Sequence, residues 1–383
     1  MNRQIYLLRE NKLMKNPSNL KTLMLIIKAT DKCNLACTYC YASEEKIGKL
    51  GSMDFDKLFD EIDSLLLAND YGIEIVFHGG EPLLVFDEIE IFSKKIRNQF
   101  YSWRVNFSLQ SNGTLISENI INVLKEFNIG LGISVDGKNE IQNNNRVYKN
   151  NKPAFKDIQS TIQFLLDKQY KAGILCVLNQ SNHDSMLDIL KYYSQYTNSI
   201  SFNPLIPYTG EIYDSSHYIE GFIQCIDWLL FNNEDKDEVD KYIERTIEIM
   251  AKKIDDLFDY DKNICFCSPC KMGTQVLTIC TNGDIYPCDW LLGSVPSEGN
   301  IYEFGISEYI KSYQPICHDL PKECKECRWK VQCGGGCTAE RLSLHGIHNW
   351  QQQTTIMCEC NKAIFTYLFS LKERGKELSL LYS

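Results

Sequence analysis

The chain has 383 residues, of which 44% are hydrophobic, so it can bury a large core in one large domain and one smaller one. Its net charge of −10 argues against the phosphate backbone of a nucleic acid as the partner. No apolar run approaches the length of a membrane span, and the first residues lack the apolar core and cleavage site of a secretory signal. We therefore expect a cytoplasmic protein.

Seventeen cysteines need an explanation, because disulfides are disfavoured in a reducing cytoplasm. A cysteine-rich cytoplasmic chain is typical of metal-binding or catalytic proteins. Three of the cysteines lie between positions 33 and 40, and twelve lie between positions 265 and 360. Cys176 and Cys225 stand apart in apolar contexts, and we interpret them as small buried hydrophobic residues.

Residues 1–22 carry little pattern, and residues 23–29 predict a buried first strand. Cys33, Cys37 and Cys40 follow that strand in the spacing CxxxCxxC. Thiolates are the natural ligands of iron–sulfur clusters, and a four-iron cluster that receives only three of them keeps one iron open. An open coordination position is where a metal does chemistry. A zinc knuckle short of one ligand, or three unrelated buried cysteines, are the alternatives.

Strands and helices then alternate along the first half of the chain. Predicted strands cover 73–77, 105–109, 130–135, 172–178 and 199–203, and predicted helices cover 54–67, 89–100, 116–127, 154–168 and 185–196. This alternation predicts parallel strands joined by helical crossovers, an α/β fold. Periodicity alone does not distinguish an open sheet from a barrel.

The sequence GGEP follows the second predicted strand directly. Gly79 and Gly80 let the backbone approach a ligand closely, and Glu81 can accept a hydrogen bond from an ammonium group. The alternative is an ordinary Gly-Gly turn. For His78, which precedes the motif, we favour a packing role over catalysis.

Further polar residues end the third and fourth predicted strands. Asn112 lies in the sequence QSNGT, where an Asn-Gly turn explains it as well as ligand binding does. Ser134 and Asp136 lie in the sequence SVDG, and Arg146 follows in NNNRVY. The planar guanidinium of an arginine suits a carboxylate, which it can bind through two hydrogen bonds.

The CxxxCxxC spacing followed by an aromatic residue, with GGEP and SxDG after later strands, resembles the signature of the radical S-adenosylmethionine (radical SAM) superfamily. The resemblance implies a partial (β/α)6 barrel, like an incomplete TIM barrel, with the active site at the C-terminal ends of the strands. It implies that the three cysteines hold a [4Fe-4S] cluster, that the open iron binds SAM, and that SAM is cleaved to a 5′-deoxyadenosyl radical. The residues implied to contact SAM or substrate are Tyr41, Gly79, Gly80, Glu81, Asn112, Ser134, Asp136 and Arg146.

The last third of the chain resembles the SPASM domain of peptide- and protein-modifying radical SAM enzymes. The resemblance rests on the spacing Cys324-x2-Cys327-x5-Cys333-x3-Cys337, with Cys270 and Cys288 before it and Cys358 after it. It implies two auxiliary [4Fe-4S] clusters, the first on Cys270, Cys288 and Cys337 and the second on Cys324, Cys327, Cys333 and Cys358. Structural zinc sites are the alternative, because CxxC is also a zinc spacing.

These motifs divide the chain into a lead segment (1–22), a radical SAM barrel (23–205), a helical linker (206–262) and a SPASM domain (263–383). The linker is expected to hold helices over 218–231 and 239–258. The sequence Asn282-Gly283-Asp284 predicts a hairpin between strands 276–280 and 285–287.

Two ligand assignments stay open within the SPASM domain. Spacing favours Cys267 as the fourth ligand of the first auxiliary cluster, and the other candidates are Cys265, Cys280, Cys317 and Cys360. Cys360 also competes with Cys358 for the second cluster.

Asp289 follows Cys288 directly. In anaerobic sulfatase-maturating enzymes, which this region resembles, the Asp at this place is interpreted as the general base that deprotonates the substrate. The alternative is that Asp289 caps a turn.

The predicted function is that of a radical SAM/SPASM enzyme that oxidatively modifies a precursor peptide, through a thioether or another cross-link. One alternative is a sulfatase-maturating enzyme that forms formylglycine. An alternative of another class is a non-catalytic iron–sulfur electron carrier or a zinc module. The expected partners are a peptide or protein substrate, an electron donor such as flavodoxin or ferredoxin, and a separate peptide-recognition protein, with neither nucleic acid nor membrane among them.

Overall fold

The structure is a computed structural model that describes residues 21–40, 51–68, 71–139, 144–205, 214–258, 270–292, 295–313, 320–346, 349, 355 and 357–383. Of the predicted site residues, Tyr41 and Cys267 lie outside these ranges, as do the alternative ligands Cys265 and Cys317. None of the described helices is long and apolar enough to cross a membrane.

The first half alternates strands with helices, as the hydrophobic pattern predicts. The strands are β1 (Lys21–Thr30), β2 (Tyr71–Gly79), β3 (Val105–Ser111), β4 (Ile129–Val135), β5 (Gly173–Leu178) and β6 (Ser199–Pro204). The helices between them are α1 (Phe55–Ala68), α2 (Phe86–Gln99), α3 (Glu118–Glu126), α4 (Phe155–Asp167) and α5 (Met186–Tyr193). Short 3-10 helices precede α2 and α5, over Pro82–Val85 and His183–Ser185.

The second half adds short strands and helices. Its elements are α6 (Ser215–Asn233), β7 (Ile243–Glu244), α7 (Arg245–Ile254), β8 (Val276–Ile279), β9 (Asp284–Tyr286), β10 (Gly299–Asn300), α8 (Gly305–Ser312), α9 (Lys322–Lys325), α10 (Lys330–Cys333), α11 (Thr338–His345) and α12 (Cys358–Glu373). The helix predicted over 239–258 begins only at Arg245, because the Glu244 side chain accepts a hydrogen bond from the Ile247 amide at 2.8 Å and caps the helix there.

The ten described strands form one open sheet in the order β10-β9-β8-β1-β2-β3-β4-β5-β6-β7. Strands β1 to β6 are parallel and sequential, which confirms the expected α/β arrangement, and the sheet does not close. Strand β8 pairs in parallel with β1, so the C-terminal hairpin extends the same sheet. The hairpin itself is confirmed, with Gly283 at φ 86° in its turn, a value that glycine tolerates.

Alternation along the strands separates an apolar face from a polar one. Leu25, Phe77 and Phe107 are buried on the face that the helices cover, where Phe77 meets Phe92 of α2 edge to face. The next residue along each strand points to the opposite face. Because parallel strands end at one edge of the sheet, the polar motifs that follow β1 to β4 lie side by side at that edge.

Candidate cluster and cofactor site

The loop that carries the first three cysteines is held by the chain segment after β4. The backbone amide of Ala36 donates to the carbonyl of Val147 at 2.7 Å, and that of Thr38 donates to the carbonyl of Asn145 at 3.0 Å. These bonds run between segments far apart in the sequence, so the loop has a defined position at the C-terminal edge of the sheet.

The three thiols of this loop are half-buried and influence one another. Burial raises the pKa of Cys33 to about 11 and that of Cys37 to about 12, against the opposing effects of the Leu35 amide on Cys33 and of the Arg146 charge on Cys37. The charge of Cys40 contributes to both increases, so the three sulfur atoms converge. Thiols with pKa values this high lose their protons near neutral pH only when a positive centre binds the sulfur atoms, and the iron ions of a cluster would supply one. The donor set therefore fits a cluster with three protein ligands.

Asn112 supports the cysteine loop. Its Nδ2 donates to Oδ1 of Asn34 at 2.9 Å and lies 4.0 Å from the sulfur of Cys33. Its Oδ1 accepts from the backbone amide and the hydroxyl of Thr114, at 3.0 and 2.7 Å. The amide group is thus engaged in a turn and in loop contacts, which agrees with the turn interpretation. A contact between Asn112 and SAM stays a prediction.

A buried ion pair lies beneath the loop. Nη2 of Arg146 donates to Oδ1 of Asp136 at 3.1 Å, and the Tyr39 hydroxyl donates to Oδ2 of the same carboxylate at 2.6 Å. The guanidinium also lies over the Tyr39 ring, 5.7 Å from its centroid. Tyr39, between Cys37 and Cys40, therefore ties the cysteine loop to the end of β4.

Arg146 carries a buried hydrogen-bond donor that would suit a ligand. Burial opposes its charged form, but the carboxylate of Asp136 outweighs that effect, so its pKa lies above the usual value and the group stays charged. Within the part of the chain that the structure describes, its Nε–H is buried without an acceptor. A buried N–H costs free energy unless it is paired, so this donor is suited to an acceptor supplied by a bound molecule such as the SAM carboxylate.

Gly79 and Gly80 bring the ends of β1 and β2 into close backbone contact. The Gly80 amide donates to the carbonyl of Thr30 at 2.7 Å, and the Glu81 amide donates to that of Lys32 at 2.9 Å. A Cβ on Gly80 would lie 2.1 Å from the Lys32 oxygen, and one on Gly79, whose φ is 130°, would lie 2.4 Å from the Thr30 oxygen. The two glycines are thus required because the backbone at Thr30 and Lys32, which leads into the cysteine loop, lies too close for a side chain.

The carboxylate of Glu81 is buried and largely satisfied. Oε1 accepts from Ser111 Oγ at 2.8 Å and from the Leu83 amide at 3.1 Å, and Oε2 accepts from the Asn112 amide at 2.8 Å. A carboxylate offers about four acceptor positions, so about one remains for a further donor. Burial raises the pKa of Glu81 to about 7, against the opposing effect of these hydrogen bonds.

Ser134 lies on the face of the sheet that the helices do not cover. Its hydroxyl accepts from Nε2 of Gln110 at 2.7 Å, and Gln110 crosses above Gly132, where a Cβ would lie 2.3 Å from the Gln110 oxygen. The predicted contact between Ser134 and SAM or substrate stays a prediction.

Asp289 is connected to the barrel by an interaction that the motifs did not suggest. Its Oδ1 lies 2.6 Å from Nζ of Lys28, and both side chains are largely buried. Lys28 Nζ also lies 3.4 Å from Nδ1 of His78. The sequence feature that could have indicated this contact is a lysine within the otherwise apolar strand TLMLIIKAT. The pair places the Asp289 carboxylate beside the C-terminal end of β1.

His78 is a neutral neighbour in this group. Burial, reinforced by the charge of Lys28, lowers its pKa to about 4. Its Nδ1 accepts from the Gly79 amide at 2.8 Å, so the ring is anchored to the glycine motif.

The four cysteines predicted for the second auxiliary cluster share one cavity. Its walls include Cys324, Cys327, Cys333, Cys358, Trp329 and Lys362. Burial, followed by the charges of Cys358, Cys333 and other neighbours, raises the pKa of Cys324 to about 11. Cys360 is fully buried in the main hydrophobic core instead and does not line the cavity, so the geometry favours Cys358 over Cys360.

A small apolar cluster brings together the chain segments that carry the predicted ligands of the first auxiliary cluster. Met272, Leu291 and Ala339 pack together there with Leu342, and Cys288 packs against them. Each of the first three follows a predicted ligand within three residues, namely Cys270, Cys288 and Cys337. Cys270 and Cys337 are exposed to solvent.

Comparisons with known proteins agree with this geometry. Residues 27–193 match the radical SAM superfamily. An uncharacterized protein of Methanocaldococcus jannaschii is 36% identical over 224 residues, which make up 57% of this chain and 77% of that protein. The cysteine-type anaerobic sulfatase-maturating enzyme of Clostridium novyi is 28% identical over 372 residues, which make up 90% of this chain and 95% of that enzyme.

A solved structure shares the fold. The structure of anSMEcpe with bound AdoMet and the Cp18Cys peptide superposes with a TM-score of 0.74 at 24% identity, over 92% of this chain and 98% of that one. The resemblance inferred from the cysteine loop and from the strand order is therefore confirmed.

Replacing Gly80 by alanine should damage the cluster loop. The added methyl group would meet the Lys32 carbonyl, and the backbone that leads to Cys33 would have to move. A displacement of this kind can reduce catalysis by up to about 100-fold. We expect G80A to lose iron from this loop or to cleave SAM far more slowly, measured as iron per chain and 5′-deoxyadenosine formed under anaerobic conditions.

G130A is the matched control, because a Cβ there meets its nearest neighbour at an ordinary 3.7 Å. Wild-type iron content and SAM cleavage in G80A would contradict this interpretation.

SAM binding should weaken as the pH falls below about 7. The pKa of Glu81 is raised to about 7, so its carboxyl group is increasingly protonated below that pH and must lose the proton to accept from the SAM ammonium. The dissociation constant should then rise by up to about tenfold per pH unit. In E81Q this component of the pH dependence should be absent, as measured by anaerobic equilibrium dialysis.

Glu244 provides the control for this titration, because burial raises its pKa to about 7 as well, and its carboxylate caps α7 and accepts from the Phe202 amide. E244Q should keep the wild-type pH dependence of SAM binding. If the dissociation constant of SAM changed with pH equally in E81Q and in the wild type, Glu81 would not face the ligand.

Proposed function

The chain belongs to the radical SAM superfamily, and we propose that it oxidises the side chain of a cysteine or serine residue in a polypeptide substrate to formylglycine. The observation that carries this proposal is the end-to-end match to the cysteine-type anaerobic sulfatase-maturating enzyme of Clostridium novyi, which spans 90% of this chain and 95% of that enzyme. The position of Asp289 beside the end of β1 supports it.

The proposed roles of the cofactor-binding residues follow from the metal-ligand, acceptor and donor positions that their side chains offer. Cys33, Cys37 and Cys40 would hold the [4Fe-4S] cluster. The remaining acceptor position of Glu81 would receive the SAM ammonium, and the buried Nε–H of Arg146 would donate to the SAM carboxylate. When bound, cluster and SAM supply a 5′-deoxyadenosyl radical that removes a hydrogen atom from the substrate.

Asp289 is the proposed base for the substrate thiol or hydroxyl. Oxidation of the side chain would transfer one hydrogen atom from Cβ to the 5′-deoxyadenosyl radical, one proton from the heteroatom to Asp289 and one electron to an auxiliary cluster. For serine this gives the aldehyde directly, and for cysteine it gives a thioaldehyde, which water would convert to the aldehyde with release of hydrogen sulfide. A carboxylate accepts the proton only when it is ionised, and the ammonium of Lys28 at 2.6 Å favours that state. The Lys28 contact also fixes the direction of the carboxylate, so the pair combines charge with orientation.

The auxiliary sites would hold two further [4Fe-4S] clusters. Cys324, Cys327, Cys333 and Cys358 would bind one of them, since they share a cavity. Cys270, Cys288 and Cys337, with Cys267 as the predicted fourth ligand, would bind the other. The electron donor and a separate peptide-recognition protein stay predictions.

A second candidate function is a thioether or other cross-link within a precursor peptide. One observation favours it, which is the exposure of Cys270 and Cys337 at the first auxiliary site. A cysteine of a substrate could reach an exposed thiolate-ligated cluster.

The Asp289 role can be tested with a peptide that carries the cysteine of a sulfatase active site. We expect wild-type enzyme, SAM and reductant to exchange the thiol sulfur for a carbonyl oxygen, seen by mass spectrometry. D289N should form this product about 10²- to 10⁴-fold more slowly while it still forms 5′-deoxyadenosine, because general-base assistance is lost and SAM cleavage is not. D284N, in the hairpin that precedes Asp289, is the control and should keep both activities.

The outcome also separates the two candidate functions. A peptide that loses two hydrogens and keeps its sulfur would indicate a cross-link instead of formylglycine. An unchanged rate of product formation in D289N would exclude Asp289 as the base.

A further inference from the structure

Two histidines and an aspartate meet where the loop after β5 approaches the start of α6. His183 and Asp184 lie in the short helix after β5, and His217 lies in the first turn of α6. Oδ1 of Asp184 is 2.6 Å from Nδ1 of His217 and 3.3 Å from Nε2 of His183. The three potential ligand atoms all lie within 4.8 Å of one another.

The hydrogen bonding of His183 determines which of its ring nitrogens can bind a cation. Its Nδ1 lies 2.9 Å from the carbonyl oxygen of Asn179, and a carbonyl oxygen can only accept, so Nδ1 carries the proton. In neutral His183, the Nε2 lone pair then points toward the carboxylate of Asp184. Two acceptors facing each other at 3.3 Å repel unless a positive charge lies between them. That charge is either a second proton on His183 or a metal ion.

We propose that His183 Nε2, the Asp184 carboxylate and His217 Nδ1 bind one divalent transition-metal ion of the zinc type. Two imidazoles and one carboxylate are an established donor set for zinc, with bonds of about 2.0–2.2 Å and the fourth position open to water. Tetrahedral bonds of that length hold the donors about 3.3–3.5 Å apart. The His183–Asp184 distance already matches, and the His217 ring would withdraw by less than about 1 Å.

The ring of His183 is held as a metal ligand requires. A ligating histidine characteristically donates its other N–H to a carbonyl or carboxylate, as His183 does to Asn179. Its ring also stacks on Tyr218, with centroids 5.5 Å apart and planes 21° apart. Only 13% of the His183 side chain is exposed, so one ligand is fixed while the other two can close on the ion.

The surrounding charge also suits a cation. Asp214, at the start of α6, caps the helix through Ser216, and these hydrogen bonds chiefly lower its pKa. The two histidines lower it further, so Asp214 lies near them and stays ionised. Asp214 is thus a second carboxylate, beside Asp184, in the surroundings of the two rings.

The proposed ion would join two elements that shape the cofactor site. The loop after β5 contains Asn182, whose Nδ2 donates to the backbone carbonyls of Asp136 and Val177, both at 2.8 Å. Asp136 is the partner of Arg146 beneath the cysteine loop. A metal that ties this loop to α6 would therefore stabilise the edge of the sheet on which the Asp136–Arg146 pair rests. The site is independent of the proposed substrate.

The test is a zinc measurement on the full chain after anaerobic cluster reconstitution. Wild-type protein incubated with zinc and desalted should retain about one zinc ion with nitrogen and oxygen ligands at about 2.0–2.1 Å by X-ray absorption at the zinc edge. Zinc held by spare cysteines would instead show sulfur at about 2.3 Å. H217N changes an exposed side chain and should lose the nitrogen- and oxygen-bound zinc without loss of iron.

D188N is the matched control, because Asp188 is an exposed acid in the neighbouring helix α5, whose described ion pair is with Lys138. It should retain the zinc. A wild-type protein that keeps no zinc, or only sulfur-bound zinc, would overturn the proposal and indicate a protonated His183. Nitrogen- and oxygen-bound zinc that persists in H217N would overturn it too.

Discussion

The buried pair of Arg146 and Asp136 is the contact on which the candidate site depends. Two charges are removed from water there, and such a pair is stable only when its remaining hydrogen-bonding groups are satisfied. Tyr39 satisfies one carboxylate oxygen and thereby brings the cysteine loop onto the end of β4. Among the described residues the buried Nε–H of Arg146 has no acceptor, and we propose a ligand as its partner. The position of the loop thus follows from this ion pair, and the proposed contact with SAM would depend on the same pair.

A second ion pair connects the barrel to the C-terminal part of the chain. Strand β8 extends the sheet beside β1, and Lys28 of β1 meets Asp289, which follows the β8–β9 hairpin. Removing one member of a buried pair costs about 3–5 kcal/mol, because the other charge is left without compensation. The pairing therefore stabilises the junction while it holds a carboxylate next to the glycine motif. Lys28 and Asp289 thus serve both the structure of the junction and the proposed chemistry.

Local patterns were sufficient to predict much of this arrangement. The parallel strand arrangement followed from the alternation of apolar runs with helical periodicity, which is a short-range feature of the chain. The ligand groups of the auxiliary clusters came from the family resemblance and stay predictions. The sequence did not determine whether Cys358 or Cys360 faces the second auxiliary site. The two residues are close together in α12 and differ only in the face of the helix that they occupy. The contacts of Lys28 with Asp289 and of Tyr39 with Asp136 were missed. They join residues far apart in sequence, and each residue taken alone has an ordinary structural explanation.

The most direct test of the account compares the iron content of the wild type with that of the variant C33A/C37A/C40A after anaerobic reconstitution. Three four-iron clusters predict about twelve irons per wild-type chain and about eight in the variant, with 5′-deoxyadenosine formed by the wild type only. Equal iron contents, or zinc in place of iron in the wild type, would contradict the assignment of the cysteine loop as the cluster site.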